Sequence, residues 1–548
     1  MGSRNTTSGE REGLSEEREG LSEGDEEVDY AALVSFLLRN GQVRLFQVDR
    51  DFHDDLADED DDFNIQCCPE TDVTPDTSKI DQSQFKQSML FKAGQPHYGT
   101  IPKPTSVNHL LRKRQSNGGL IEMGRPYMHE KSMFTASFLP NNGTELDRFP
   151  SKLFCGTYSQ DGNVFLSACQ DQYLRLFDVS KGQFKLFRAI KAQDVGWSVL
   201  DTAFSPDGCY LIYSSWSENI HICNIHGDYE THSALDLNPS QAQFCAFSIQ
   251  FSSDNKEILA GANDGNLYIY DREKGERTLM VDAHEDDVNA VCFADSSSQI
   301  LFSGGDDGLC KVWDRRMLSE SNSSPVGTLA GHSDGITFID TKGDTRHLIS
   351  NSKDQSIKLW DMRCFSSENA VENARRAVAQ QEWDYRWQRA PRRSRRRILV
   401  KGDTSLMTYR GHGVLHTLLR CRFSPKFTTD QNYIYSACAT GKVIIYDALT
   451  GQVVRTLSEG HGSCVRDVSW HPYENKIISS GWDERHILWE YKENVYYDSD
   501  MSDISEDEDG SDEDDIFKTV RRSRRLKDKR EQSRRRRGGG RNRTDVAV

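Results

Sequence analysis

Three sets of residues in this sequence have the composition of a hydrolase triad. Each set contains a His, a Ser and an Asp in the same order: His284 with Ser303 and Asp307, His332 with Ser350 and Asp354, and His461 with Ser479 and Asp483. One such set could supply the nucleophile, the base and the orienting acid of acyl transfer. A catalytic triad is needed only once, whereas these sets recur and each is followed by a Trp: Trp313, Trp360 and Trp489. The recurrence favours a structural role in a repeated fold.

The elements that carry these residues form an internal repeat. The clearest copies are ILFSGGDDGLCKVWDRR (300–316), HLISNSKDQSIKLWDMR (347–363) and KIISSGWDERHILWEY (476–491). Weaker copies lie at 165–178, 211–225, 258–271 and 434–447, and His412 is interpreted as a further repeat His with altered spacing. Short alternating strands, Asp/Gly/Asn turns and a period of about 40–45 residues predict an all-β propeller.

These segments resemble WD repeats. The resemblance implies a seven-bladed WD-repeat β-propeller over 151–492, in which the His, Ser, Asp and Trp of a repeat form a buried hydrogen-bonded chain. An Asp buried without such donors would cost several kcal/mol, so the four residue types depend on one another.

Composition excludes several function classes. The net charge of −17 argues against a nucleic-acid binder that uses its whole surface, and the 13 cysteines are scattered without a CxxC pair. We therefore expect no metal and no cofactor. The apolar run at 30–38 is too short to span a bilayer, and no membrane association is expected.

Long extensions flank the repeats. The sequence predicts a disordered acidic segment at 1–28, an amphipathic helix at 29–48 and an N-terminal arm at 49–150. Within the arm we expect a helix at 106–115, with Leu110 and Leu111 on its apolar face, and a strand at 131–139 that closes the ring. Each helix could pack on the propeller or enter a groove of a partner.

An insertion at 364–410 interrupts the repeat spacing. Its first part is rich in helix-forming residues, and a basic run at 391–397 follows Trp383, Tyr385 and Trp387. This segment is either a solvated surface loop or a partner surface built from aromatic and basic side chains.

The tail at 493–548 has an acidic block followed by a basic block, and its composition predicts disorder. The basic run at 521–543 is typical of nuclear-import signals, which predicts a nuclear protein, with the cytoplasm as a second location. Nucleic-acid binding and self-association of the two blocks are the alternatives; nucleic acid is not the favoured partner.

Two repeats end in Trp-Asp-x-Arg, which places Arg316 and Arg363 at equivalent turns of adjacent blades, after Asp314 and Asp361. The arginines could be ordinary turn residues or local partners of these aspartates. Alternatively, two arginines on one rim suit bidentate contacts to a partner's carboxylates or carbonyls.

The double motif resembles that of the WD-repeat substrate receptors of cullin-four RING ubiquitin ligases. The resemblance implies that Arg316 and Arg363, supported by Asp314 and Asp361, dock on the triple-propeller adaptor, with Leu110 and Leu111 assisting. The protein would then be a non-catalytic receptor that presents target proteins for ubiquitination and proteasomal degradation. Segments such as 194–201, 214–225 and 381–388 further resemble one member of that family.

Two other functions are open at this point. A propeller scaffold of a nuclear RNA- or chromatin-associated complex would use the basic insertion and tail. An enzyme is disfavoured, because the sequence has no GxxxxGK[ST], GxSxG or HExxH motif.

Overall fold

A computed structural model describes residues 73–92, 135–227, 231–239, 243–320, 323–381, 383–386, 388 and 399–493. Within them are 28 strands in seven four-stranded antiparallel sheets. The first strand of each sheet contacts a neighbouring sheet, and these contacts form a closed ring, so each sheet is a blade of a seven-bladed β-propeller. The predicted fold class is confirmed.

Blades 1 to 6 each use four consecutive strands. Blade 1 contains β2 to β5: Leu153–Tyr158, Val164–Cys169, Tyr173–Asp178 and Lys185–Lys191. Blade 2 contains β6 to β9: Asp201–Phe204, Tyr210–Ser214, Asn219–Asn224 and His232–Asp236. Blade 3 contains β10 to β13: Ala246–Phe251, Glu257–Ala262, Asn266–Asp271 and Glu276–Asp282.

The second half of the ring repeats this order. Blade 4 contains β14 to β17: Val288–Phe293, Ile300–Gly305, Leu309–Asp314 and Gly327–Ala330. Blade 5 contains β18 to β21: Ile336–Thr341, His347–Ser352, Ser356–Asp361 and Met407–Arg410. Blade 6 contains β22 to β25: Cys421–Phe423, Tyr433–Ala437, Val443–Asp447 and Val453–Leu457.

Blade 7 closes the ring with a strand from the N-terminal side. Its inner strands are β26 to β28: Val465–Trp470, Ile477–Gly481 and Arg485–Glu490. Its outer strand is β1, Asn142–Arg148, which pairs antiparallel with β28. The predicted closing strand at 131–139 is therefore placed too early: residues 135–138 form a helical turn instead. The propeller accordingly begins before residue 151.

Buried apolar residues from both faces of each sheet hold neighbouring blades together. Leu259 and Ile269 of blade 3, for example, form one core cluster with Val288 and Trp313 of blade 4. Inner strands such as β14 are buried along their whole length, whereas the outer strand β1 is mostly exposed. Val and Ile are accordingly more frequent in the three inner strands of the blades than in the outer strands.

The alternation of strand direction defines two faces of the ring. The loops that lead into first strands and join second to third strands form what we call the upper face. The loops that join first to second and third to fourth strands form the lower face. Trp-Asp-x-Arg turns follow third strands, and Arg316 and Arg363 therefore both lie at the lower face.

Three helices are described besides a 3-10 turn at Ile80–Gln82: α1 at Gln84–Lys92, α2 at Glu368–Ala379 and α3 at Lys426–Thr429. Helix α2 belongs to the predicted insertion and packs along β16 and β17 of blade 4. The insertion ends earlier than predicted, because Met407–Arg410 is the outer strand of blade 5. No helix in the described ranges has the length and apolarity needed to cross a membrane.

Candidate functional site

In each of the three repeated sets, hydrogen bonds join the four side chains. In blade 5, His332 Nδ1 lies 2.9 Å from Asp354 Oδ2 and its Nε2 lies 2.7 Å from Ser350 Oγ. Trp360 Nε1 donates to the same Oγ at 2.7 Å. The serine hydroxyl is therefore the point at which the histidine and the tryptophan meet.

The set in blade 4 has the same connections. Ser303 Oγ lies 2.7 Å from His284 Nε2 and accepts a hydrogen bond from Trp313 Nε1 at 2.9 Å. His284 Nδ1 lies 2.9 Å from Asp307 Oδ2. The four residue types therefore occupy the same places as in blade 5.

The set in blade 7 repeats them once more. Ser479 Oγ lies 2.7 Å from His461 Nε2 and accepts a hydrogen bond from Trp489 Nε1 at 2.8 Å. His461 Nδ1 lies 2.8 Å from Asp483 Oδ1. In every set, the chain runs from the Asp through the His and the Ser to the Trp and joins the strands of one blade.

The three serines cannot act as hydrolase nucleophiles. Ser303, Ser350 and Ser479 are all fully buried, with 0% of their surface exposed. Each Oγ is already engaged by the His and the Trp of its own blade, so none is presented to a substrate. These sets therefore do not form an active site. Ser303 and Ser479, like Ser350, are internal residues and offer no binding surface.

The electrostatics of the sets are those of a structural network. Burial alone would raise the pKa of Asp354, but the charge and hydrogen bond of His332 hold that pKa well below its usual range. The pKa of Asp307 is lowered in the same way by His284, against the effect of burial. Each aspartate thus stays ionised because a hydrogen-bonded partner compensates for the loss of water.

His412 differs from the other repeat histidines. Its Nδ1 lies 3.0 Å from Tyr446 Oη and its Nε2 lies 2.8 Å from Asn351 Oδ1. The equivalence predicted from the sequence therefore holds for the position but not for the partners. Without a hydrogen-bonded acidic partner, burial lowers the pKa of His412 to about 4.

The turn after β16 presents Arg316 at the lower face. The guanidinium donates to both oxygens of Asp314, from Nε at 2.9 Å and from Nη2 at 2.6 Å. Its side chain is nevertheless 67% exposed, whereas Asp314 is 12% exposed. The aspartate thus orients a guanidinium that keeps an open edge toward solvent.

The turn after β20 repeats this geometry with an additional partner. Arg363 donates to Asp361 from Nε at 3.2 Å and from Nη2 at 3.1 Å, and its side chain is 54% exposed. Asp361 also accepts two hydrogen bonds from Arg346, at 3.0 and 2.7 Å. Burial alone would raise the pKa of Asp361, but the two arginines hold it well below its usual range.

Arg315, next to Arg316, has a different environment. It forms a bidentate pair with Glu257 of blade 3, at 3.2 and 2.6 Å, and is 24% exposed. Of the two arginines in this turn, Arg315 is therefore committed to an internal contact between blades.

Sequence reasoning missed an N-terminal segment, Val73–Lys92, beside the Arg363 turn. Gln84 Oε1 accepts hydrogen bonds from Arg346 at 2.9 Å and from Arg363 at 3.1 Å. Ile80, Phe85 and Met89 are buried in a core cluster with residues of blades 5 and 6. The sequence did contain one signal for this helix. Phe85 and Met89 are four residues apart, which places them on the same side of a helix, although the segment as a whole has low amphipathicity.

The two predicted N-terminal helices, 29–48 and 106–115 with Leu110 and Leu111, lie outside the described residues. The acidic segment 1–28, the basic run at 391–397 and the tail beyond residue 493 lie outside them too.

Two of the three aromatic residues predicted as a possible partner surface pack against blade 5. Tyr385 is buried, with Lys353 Nζ 4.3 Å from its ring centre. Trp383 is half-buried and donates from Nε1 to Asp334 at 3.2 Å. Their partners belong to blade 5, so these side chains anchor the insertion on the upper face; Trp387 lies outside the described residues.

In the described ranges, no group of three or more His, Cys, Asp or Glu is arranged to hold a metal ion. The buried polar sets above are internally paired.

Comparison with known proteins agrees with the repeat assignment. A family model described as "WD domain, G-beta repeat" matches residues 241–271, 275–314, 323–361 and 451–490. Each match ends at the end of a third strand, where the Trp-Asp-type sequence lies.

Relatives match over most of the chain. A Caenorhabditis elegans protein named DDB1- and CUL4-associated factor 11 homolog is 40% identical over 77% of this chain and 76% of its own length. The Caenorhabditis briggsae homolog of the same name is 40% identical over 65% of this chain and 66% of its own. The LEC14B protein of Lithospermum erythrorhizon is 40% identical over 71% of this chain and 83% of its own. The segments at 194–201, 214–225 and 381–388 resemble the member that the two Caenorhabditis proteins are named for. The chain therefore belongs to the family of WD-repeat proteins that contains the DDB1- and CUL4-associated factor 11 homologs.

Proposed function

We propose that this protein is the substrate receptor of a cullin-four RING ubiquitin ligase and docks on the ligase adaptor through Arg316 and Arg363. The observation that carries the proposal is the pair of equivalent, aspartate-oriented arginines at the lower face of a propeller whose relatives are named for association with DDB1 and CUL4.

The geometry of the two turns supports docking by the arginines. Asp314 and Asp361 hold each guanidinium in one orientation, which reduces the entropy lost when a partner binds. A half-exposed guanidinium retains donors for carboxylates or backbone carbonyls of the adaptor. Gln84 adds an amide beside Arg363, so α1 would contribute to the same surface.

The mechanism would be positional. The chain would carry no reacting group; it would hold a target protein close to the ubiquitin-loaded enzyme brought by the cullin and its RING subunit. Tethering raises the effective concentration of target lysines at that enzyme.

The test is recovery of the adaptor and cullin-four with tagged protein from cells. Arg316→Ala/Arg363→Ala should reduce recovery at least about tenfold, since truncating two hot-spot arginines typically costs more than about 1.4 kcal/mol. The matched control is Arg315→Ala, which alters the same turn but removes the internal pair with Glu257.

Melting temperatures of all variants show whether each one is folded. Equal recovery by the double variant and by wild type would reject docking through these arginines. Failure of wild type itself to recover the adaptor would reject the receptor function and favour the scaffold alternative.

A further inference from the structure

A small cavity lies inside the ring, near the upper mouth of its central channel. It has a volume of about 10 Å³ and is lined by residues at or just before the start of first strands, including Asp201, Ser248, Asn289, Thr337, Arg420 and Arg466. These residues come from blades 2 to 7. The cavity has room for about one water-sized particle.

Arg420 is fully paired beside this cavity. Its Nη2 donates to Asp201 at 2.6 Å and its Nη1 donates to Asp467 at 3.0 Å. Both carboxylates also accept backbone N–H groups, from Ile249 at 2.8 Å and Gly156 at 3.0 Å. The two acidic groups thus accept hydrogen bonds from Arg420 and the backbone, and Asp467 also accepts one from Arg422 Nη2 at 3.5 Å.

Arg466 is buried in the same cavity wall without such partners. It is 4% exposed, and its Nε and Nη1 make no hydrogen bond within the described part of the chain. Burial and the neighbouring Arg420 charge lower the pKa of Arg466, against the opposite effect of the Asp467 and Asp201 carboxylates, neither of which accepts a hydrogen bond from Arg466 Nε or Nη1. A guanidinium remains charged in proteins, so burying it without a hydrogen-bonded counter-charge is destabilising.

We propose that this cavity binds one small monovalent anion against the Arg466 guanidinium. The ligand chemistry is that of a halide ion or of a carboxylate group entering from the upper face. Ser248 gives the cavity wall a hydroxyl, whereas Thr337 Oγ1 already donates to Leu419 and Asn289 Nδ2 to Asp306 and Ile336. Arg420 adds a second positive charge, and Asp201 adds one negative charge that is paired with Arg420. A water molecule could accept the hydrogen bonds but would not compensate the charge, and this difference makes the proposal testable.

The experiment is thermal melting of the full chain at constant ionic strength, with sodium gluconate replaced stepwise by chloride, bromide or formate. Gluconate is too large for the cavity. A bound anion should raise Tm by about 2–4 °C, and above its Kd the shift should grow with the logarithm of the anion concentration, as expected for a ligand that binds only the native state. A shift with the halides would identify a free ion, and a shift with formate alone would identify a carboxylate as the natural ligand.

Arg466→Met should abolish the anion dependence. Arg410→Met is the matched control, because Arg410 is also buried with Nε lacking a hydrogen bond but lies on the outer strand of blade 5. It should keep the wild-type response.

Crystals of the wild-type chain soaked in bromide provide a measurement that does not depend on variant folding. An anomalous peak beside Arg466 supports the proposal. Equal melting temperatures in all four salts, with no bromide peak, would overturn it and leave water as the occupant.

Discussion

The imidazole of His412 is fully buried between Tyr446 and Asn351, and its pKa is lowered to about 4. In the unfolded chain its pKa would be about 6.5. Between these values the unfolded state binds a proton that the native state does not, so the free energy of unfolding falls as the pH drops through this interval. The contribution is about 3 kcal/mol.

Urea unfolding at pH 7 and pH 5 measures this effect. His412→Gln should lose less stability than wild type over this interval, because glutamine does not titrate. Buried His486, whose pKa is lowered to about 3, continues to contribute in both proteins. His226→Gln, at an exposed position, should keep the wild-type pH dependence; an equal loss in His412→Gln and wild type would contradict the assignment.

Individual residues were predictable where their chemistry makes them mutually dependent. Ser303, Ser350 and Ser479 are found from the sequence because each hydroxyl satisfies a His and a Trp, which fixes types and spacing together. The partners of His412 were not predictable in this way. The Tyr occupies the place of the repeat Trp, but it bonds directly to the histidine, at Nδ1 rather than through a serine at Nε2. The Asn belongs to blade 5, and no local spacing links it to the histidine.

The segment Val73–Lys92 stabilises two blades from the outside. Phe85 is fully buried, with its ring centre 4.9 Å from that of His347 and 4.4 Å from Lys342 Nζ. Phe85→Ala should therefore lower the free energy of unfolding by about 3–5 kcal/mol.

Denaturant unfolding measures this loss, and limited proteolysis should show earlier cleavage near residues 84–92 in the variant. Phe427→Ala is the matched control, since Phe427 is 46% exposed. Equal stability of Phe85→Ala and Phe427→Ala would show that the segment does not contribute to the fold.

The strand that closes the ring was misplaced because it has little apolar content. The closing strand was expected at 131–139, KSMFTASFL, because that stretch is apolar, whereas the strand that pairs is NGTELDR at 142–148. An outer strand is exposed on much of its surface, so it needs few apolar residues and leaves little periodic signal. The insertion helix was anticipated because its composition favours a helix without reference to the rest of the fold.

At the scale of the whole ring, the two faces have separate roles in our proposals. The lower face carries Arg316 and Arg363, and the upper mouth of the channel contains Arg466. Arg420 links an aspartate of blade 2 to an aspartate of blade 7 across that mouth. Occupants of the two faces could therefore bind at once, as a receptor that joins a ligase to a target requires.

Closure of the ring depends on how tightly β1 packs on blade 7. A Cβ added at Gly143 would lie 2.8 Å from the Trp489 ring and 3.0 Å from Ile487 Cγ2, so Gly143→Leu must displace β1 or the tryptophan. We expect this overpacking to cost about 1–3 kcal/mol. The loosened edge of β28 should also promote self-association, because an unpaired strand edge is a template for pairing.

Thr144→Leu tests whether this cost comes from packing against blade 7. It introduces the same side chain one residue along β1, at an exposed position, so its stability should stay within about 0.5 kcal/mol of wild type. Melting temperature and solution mass measure both effects. If both variants melt together with wild type and remain monomeric, the fit of β1 against Trp489 does not control closure of the ring.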